Sequence, residues 1–445
     1  MPSQSRKLFG LAMVLCASLS TQTPLLATAP TPAPAVPAGL DADVREFRLE
    51  DLKASLQSMQ PGPERDYFAG VLANRTGRIE ESIRLLNSAI PSIRESEPAR
   101  AAIALEALAD DFNKSFRYGD AASTYDDLLA HFSKELDKER LQGTRDDAGL
   151  LHLLAGAPAQ TITWQGPTRL KTERNAIGSI VTELTVNGVQ EKWLLDTGAN
   201  MSLVTKSFAQ KLGLKPLPGF AQTGSGITGI ENPLQVALVP TLQLGGATLK
   251  NVVVMIFDDA NLKINMGNQS YQINAIIGYP VFQALGAVTF VGDKEFDAGE
   301  AAQSSAAGTR MYMKLLTPVI ECGVDGTRLP FSFDTGASST ELSYRYYERF
   351  RGQAGAWKKV ESKSAGAGGI VSRKIYMRPR LKLVVGDKTA VLRQVSIFPM
   401  KMGSGIDELY GNIGQDFVAS FQSFTLDFSK MTFSLGALLP AKKTQ

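Results

Sequence analysis

Two tetrads carry the strongest chemical signal in this chain, Asp196-Thr197-Gly198-Ala199 and Asp334-Thr335-Gly336-Ala337. Each closes an apolar, strand-like run, and the two aspartates lie 138 residues apart. A single tetrad is an ordinary strand-to-turn junction. Two imply a chain that brings a pair of carboxylates together. Carboxylates a few ångströms apart resist ionising together, so one keeps a proton and the pair titrates as a unit. The charged member can take a proton from a water held between them, and the neutral member can donate to a carbonyl oxygen. That chemistry calls for no metal, no cofactor and no covalent intermediate.

The neighbouring residue types suit the task. Gly198 and Gly336 permit a sharp turn at the strand end. Thr197 and Thr335 carry hydroxyls that can hydrogen-bond across a two-fold seam. Ala199 and Ala337 are small enough for close approach of the loops. Leu194, Leu195, Phe331 and Phe333 bury the strands and limit access of water.

The elements that must position these loops form a repeat. From Ile177 onward the pattern is short apolar runs broken by Gly and Asn, the signature of all-β structure. Hairpin pairs Asn187-Gly188 and Asp325-Gly326 precede the tetrads, each glycine eight residues before its aspartate. Gly-rich stretches follow, Gly224-Ser225-Gly226 with Gly229 and Gly366-Ala367-Gly368-Gly369. Strand turns come next at Gly245-Gly246 and Gly386-Asp387, then the strand exits Ile276-Ile277-Gly278 and Asn412-Ile413-Gly414. The exit glycines stand 82 and 80 residues after their aspartates. Four landmarks in one order at near-constant offsets read as a tandem duplication, with Gly292 to Thr309 as its joint.

The rest of the chain reads differently. Arg6 and Lys7, the apolar stretch Leu8 to about Leu19 and Ala27-Thr28-Ala29 fit a signal peptide at 1–29. A lipid-modified Cys16 ranks second, because Leu15 before it is bulky. Export to the periplasm or the medium follows, and no later segment reaches membrane-spanning length. Residues 30–40 are a Pro/Ala-rich spacer, and 41–155 carry apolar residues at helical spacing. Within this stretch Thr76-Gly77-Arg78 and Tyr118-Gly119-Asp120 each sit between two helical patterns. The segment resembles degenerate tetratricopeptide-type hairpins, which implies either scaffolding or a surface for a protein partner. Pro158 to Pro167 reads as a linker.

Composition excludes several classes. A formal net charge of +3 gives no reason to invoke nucleic acid. Cys322 is alone once Cys16 is removed, so no internal disulfide can form and it reads as a small buried hydrophobe. His131 and His152 are the only histidines and lie in the helical part, so neither a metal site nor a serine hydrolase is supported. Asp293 and Asp427 read as turn or surface acids. Tyr344, Tyr346, Tyr347 and Phe350 read as packing, and Trp164, Trp193 and Trp357 as core or cleft wall.

The region from about 170 to 440 resembles retropepsin-like aspartic proteases of the pepsin/retropepsin group, in a bacterial exported form. The resemblance rests on the two tetrads and on Ile277-Gly278 and Ile413-Gly414. It implies an all-β, two-lobed fold, with lobes at 170–300 and 309–440, following the all-α domain. It implies Asp196 and Asp334 as the catalytic pair, and Thr197, Gly198, Thr335 and Gly336 as support within the loops. Ile277, Gly278, Ile413 and Gly414 would back them. Gly224, Ser225, Gly226, Gly366 and Gly368 would belong to flaps over a peptide or protein substrate. There are departures. Neither flap stretch holds a tyrosine, and Asn200 and Ser338 make the lobes unequal. The rival to an exported aspartic endopeptidase is a catalytically silent peptide- or partner-binding module on the same fold.

Overall fold

A computed structural model describes residues 39–224, 231–266, 269–302, 308–366, 369–402 and 406–440. The expected signal peptide, Cys16 and most of the spacer lie outside the described residues. A helical region, residues 40–154, is followed by a large, mostly β region.

The helical region begins with two short helices and continues as a stack: Pro63–Arg75, Ile79–Ile93, Pro98–Lys114, Tyr118–Phe132 and Lys138–Leu154. Proline opens two of these helices, where its missing N–H costs nothing. Asp137 caps the last by accepting from the Arg140 amide at 2.9 Å. Small residues set the spacing between helices. A Cβ on Gly70 would stand 2.6 Å from Leu86 Cδ2, and Pro98–Lys114 buries five alanines. The expected turn at Gly119 is corrected, because Gly119 lies in the first turn of its helix. The left-handed position falls on Phe116 (φ 58°), and the Arg117 amide donates to Phe112 O at 2.8 Å. Gly77 (φ 70°) and Phe47 (φ 54°) end earlier helices with the same bond pattern. A non-glycine residue there costs about 1 kcal/mol, which burial of the Phe47 ring offsets.

In the β region, both predicted hairpins are two-residue turns with positive φ at both positions. Asn187 (50°) and Gly188 (77°) join Ile180–Val186 to Val189–Leu195. Asp325 (50°) and Gly326 (80°) join Thr317–Val324 to Thr327–Phe333. Short strands Ala275–Ile277 and Gly411–Ile413 run parallel to the strands that end at the tetrads, aligning Ile277 with Leu195 and Ile413 with Phe333.

A six-stranded antiparallel sheet joins the two halves, in the order Thr168–Arg174, Glu295–Ala298, Ala287–Val291, Ser423–Asp427, Thr432–Leu435 and Thr309–Lys314. Its central pairing is symmetric about Thr289 and Thr425, whose hydroxyls meet at 2.8 Å. Phe290 stacks on Phe424 at 4.7 Å beside them.

Three sequence expectations need correction. The linker Pro158 to Pro167 contains a strand, Thr161–Trp164, because it finds a free edge along Ala247–Phe257. Gly292 is part of the hairpin between Ala287–Val291 and Glu295–Ala298, so the joint between halves begins later. Trp164 is 41% exposed and packs its ring against Gly299 rather than into the core. Asp427 is buried and caps its own turn, accepting from the Ser429 and Lys430 amides. Trp193, Trp357, Tyr346, Phe350 and Cys322 are buried.

The helical region docks on the β region through polar and apolar contacts. Glu46 binds Arg345 at 2.6 Å and accepts from Tyr410 Oη at 2.8 Å, and Glu50 pairs with Arg310 at 2.8 Å. Leu153 packs over Gly219, and Met431 over Gly77. Lys314 is buried at this boundary, ion-paired with Glu408, and burial pushes its amine down to about 7.

A pH dependence follows from Asp111, which is buried in the helical stack and accepts from Asn74 Nδ2 at 2.8 Å. Burial, then the Asp110 charge, pushes its carboxyl up to about 7. The folded state therefore holds a proton that the unfolded chain loses above about pH 4. Stability from this group is present at low pH and declines as pH rises to about 7. Asp111→Asn keeps an acceptor for Asn74 and should recover on the order of 1–3 kcal/mol at pH 7.5 relative to pH 4.5. Urea unfolding at the two pH values checks this; an unchanged difference between them would contradict it.

Candidate active site

The two tetrads meet at the seam between the β halves. Their threonines interlock. The Thr197 amide donates to Thr335 Oγ1 at 3.0 Å, and the Thr335 amide to Thr197 Oγ1 at 3.1 Å. Each hydroxyl then donates onward, Thr197 Oγ1 to Phe333 O at 3.3 Å and Thr335 Oγ1 to Leu195 O at 2.7 Å. Both side chains are buried, so each of these four bonds satisfies a group that water cannot reach.

Each aspartate is gripped by its own loop. Asp196 Oδ1 accepts from the Gly198 and Ala199 amides at 2.9 and 3.1 Å. Asp334 Oδ1 accepts from the Gly336 and Ala337 amides at 2.7 and 3.1 Å. The backing strands hold the backbone, since the Asp196 amide donates to Ile277 O at 3.1 Å and the Asp334 amide to Ile413 O at 3.0 Å. The Tyr279 amide reaches Ala199 O at 2.8 Å, and the Gln415 amide reaches Ala337 O at 2.9 Å.

The glycines are required for space. Neither Gly198 nor Gly336 has a positive φ, which corrects the turn argument made from sequence. A Cβ on Gly198 would overlap the Asp334 carboxylate, and one on Gly336 would overlap that of Asp196. Each carboxylate thus sits against the opposite loop. Gly278 and Gly414 are equally confined, by the backbone of Met201 and of Ser339. Their amides donate to Ser202 Oγ at 3.0 Å and Thr340 Oγ1 at 3.2 Å.

The two carboxylates interact directly. Burial pushes the Asp196 carboxyl well up, and the charge of Asp334 and a hydrogen bond to it add to the rise. The Gly198 and Ala199 amides oppose the shift without cancelling it. A carboxyl raised in this way beside a second carboxylate is the arrangement that general acid–base work on a trapped water needs.

Of the expected flap residues, Gly224 and Gly366 each end a strand of an antiparallel pair. Gly224 ends the strand Ala221–Gly224, which pairs with Glu231–Leu244. Gly366 ends Lys358–Gly366 and pairs with Gly369 at the start of Gly369–Val385. Ser225, Gly226 and Gly368 lie outside the described residues.

Around Asp334 the structure adds side chains that the sequence reading had not singled out. Asn412 Nδ2 donates to Asp334 Oδ2 at 3.2 Å, and Ser332 Oγ donates to Asn412 Oδ1 at 2.7 Å. Glu341 pairs with Asn412 across the strands, and burial, then the Asp334 charge, pushes it up to about 7. The signal was present in the aligned halves as three mismatches: Leu194 against Ser332, Leu203 against Glu341 and Ile276 against Asn412. Among the described residues no cluster of three or more His, Cys, Asp or Glu side chains could hold a metal ion.

Residues 182–281, which span the first tetrad, match the family model for aspartyl proteases. The chain therefore carries an aspartyl-protease-like domain. No curated protein matches it. Among solved structures, conglutin gamma, a basic 7S globulin from lupine seeds, aligns at TM-score 0.38 and 10% identity, over 63% of this chain and 95% of that one. A retropepsin-like aspartic protease from Rickettsia conorii aligns at TM-score 0.22 and 20% identity, over 31% of this chain and 93% of that one. At these scores neither likeness bears on mechanism.

The threonine interlock makes a measurable prediction. Thr335→Val leaves the buried Thr197 amide unpaired and should cost about 1–3 kcal/mol. Thr197→Val should cost a similar amount. Because both break one closed network, the double variant should fall short of the sum by at least about 0.5 kcal/mol. Urea unfolding of the four proteins checks this, and strictly additive losses would contradict the interlock.

Proposed function

We propose that this chain is an exported aspartic endopeptidase in which Asp196 and Asp334 jointly activate a water. The observation that carries the reading is the threonine interlock, which holds two aspartates of matched loops in hydrogen-bond contact. A seam built only to join two halves would gain nothing from burying a pair of like charges, since that costs stability unless a proton is shared. The water attacks the scissile carbonyl carbon. The ionised carboxylate takes the water's proton, and the protonated carboxyl donates to the carbonyl oxygen. Collapse of the tetrahedral intermediate then breaks the C–N bond, and a proton passes to the leaving amine.

The substrate is an extended peptide or protein segment lying across the seam. Hairpins ending at Gly224 and Gly366 would pair with its main chain by β-augmentation, as flaps. The two β halves are read as a tandem duplication, lobes 170–300 and 309–440, supported by the matched hairpins, backing strands and the pairing centred on Thr289 and Thr425. The helical stack is read as a degenerate tetratricopeptide-like module that scaffolds the β region and offers a surface to a protein partner. Export rests on the basic, apolar and small-residue order of residues 1–29.

Asp196→Asn and Asp334→Asn should each lower cleavage of an unfolded protein substrate at least about 1,000-fold, while circular dichroism and urea midpoint stay near those of the parent. Either variant turning over at the parent rate would sink the assignment.

A further inference from the structure

The two halves match closely in backbone and differ in what surrounds each aspartate. In the first half Ile276 is the residue that pairs with both Leu194 and Leu203. In the second half Asn412 holds the same register, pairing with both Ser332 and Glu341. Three apolar side chains on one side thus face three polar ones on the other. The replacement is directed. Ser332 Oγ donates to Asn412 Oδ1 at 2.7 Å, which turns the amide so that Nδ2 donates to Asp334 Oδ2 at 3.2 Å. Both tetrads end in alanine, so neither loop offers a hydroxyl of its own at that position. Asp334 gains a side-chain donor through Asn412, and Ile276 can give none to Asp196.

We propose that Asn412, held by Ser332, decides which member of the pair carries the charge: Asp334 is the ionised carboxylate that takes the proton from water, and Asp196 the protonated acid that donates to the substrate. An N–H donor stabilises a carboxylate and does little for a protonated carboxyl, which has its own proton to donate. One such bond on one side is enough to break the symmetry of a coupled pair. Asn412 is in this sense a positioning residue, acting through Asp334.

The other charged groups near Asp334 are compatible with this. Asp196 faces it from the first loop and holds the shared proton. Glu341 faces it from the strand Glu341–Leu342, and burial keeps that carboxyl protonated up to about pH 7, so through the acid range it adds no competing charge. Asp416, on the helix Gln415–Val418, is occupied by Thr340, accepting from its amide at 2.8 Å and its hydroxyl at 2.7 Å. Arg373, on the strand Gly369–Val385, opposes the rise at Glu341.

The proposal rests on the dyad reading, and its test has one arm that needs no turnover. The protein is labelled with 13C at the aspartate side-chain carboxyl, and the two signals are assigned with Asp196→Asn and Asp334→Asn. At a pH where the pair holds one proton, the parent should show Asp334 ionised and Asp196 protonated. In Asn412→Ile, which copies the first half, the proton should be spread over both carboxyls. Asp334 protonated in the parent, or no redistribution in Asn412→Ile, would overturn the proposal whether or not the protein cleaves peptides. The second arm is the pH profile of kcat/KM. Asn412→Ile should raise the acid limb by about one pH unit and leave the basic limb in place, because the donor stabilises the monoanion and the dianion alike. Ser332→Ala should shift the acid limb the same way by less, and Ile276→Asn should weaken the preference for Asp334. A uniform loss at all pH values, with the acid limb unmoved, would mark Asn412 as merely structural and reject the proposal. Cleavage that survives Asp196→Asn would instead reject the dyad reading itself.

Discussion

Holding two carboxylates side by side is the constraint on which the rest of this structure depends. Left alone, two such charges repel and the loops carrying them would part. The interlock of Thr197 and Thr335 prevents this by making each loop supply the hydrogen-bond partner of the other's amide. It also explains the demand for glycine at positions 198 and 336, where each carboxylate fills the space a Cβ would take on the opposite loop. The parallel backing strands fix the backbone of each aspartate from behind. The six-stranded sheet keeps the two halves in register beneath the seam, with Thr289 and Thr425 at its centre.

Symmetry of the scaffold does not extend to the chemistry. Asn412, Ser332 and Glu341 replace an apolar set at matched register positions, so the two carboxylates meet different surroundings on one frame. Pairs of titratable groups whose environments differ are how acid and base roles are divided at one pH. The helical region joins the same frame. Glu46 and Glu50 meet Arg345 and Arg310 across its boundary with the β strands, and Leu153 packs beside the strand that leads to Gly224.

Much of this was legible in the residues. Turn chemistry is local, so Asn187-Gly188 and Asp325-Gly326 announced their hairpins, and the matched offsets announced that the two tetrads occupy equivalent places. The change from helical to alternating spacing placed the boundary between the helical and β regions. What stayed hidden depends on partners far away in the chain. An apolar Trp164 reads as core or cleft wall, but its strand adds to an edge and leaves the ring against Gly299 and partly exposed. Phe116 gives no local signal, because a bulky residue rarely takes a left-handed turn, and only the surrounding stack holds it there. Glycine at 198 and 336 was read as conformational freedom, whereas the cause is a side chain from the other half. Asn412 reads from sequence as one landmark of a repeat, and its difference from Ile276 acquires meaning only with Asp334 within reach of its amide.

If the seam brings Asp196 and Asp334 together as a working pair, the two carboxyls hold a single proton between them. Neutron diffraction from crystals of the deuterium-exchanged protein grown near pH 5 reads this without reference to turnover. One deuteron is expected between carboxyl oxygens less than about 3 Å apart, with the threonine hydroxyl deuterons pointing to Phe333 O and Leu195 O. Two bare carboxylates separated by more than one bridging water would contradict it.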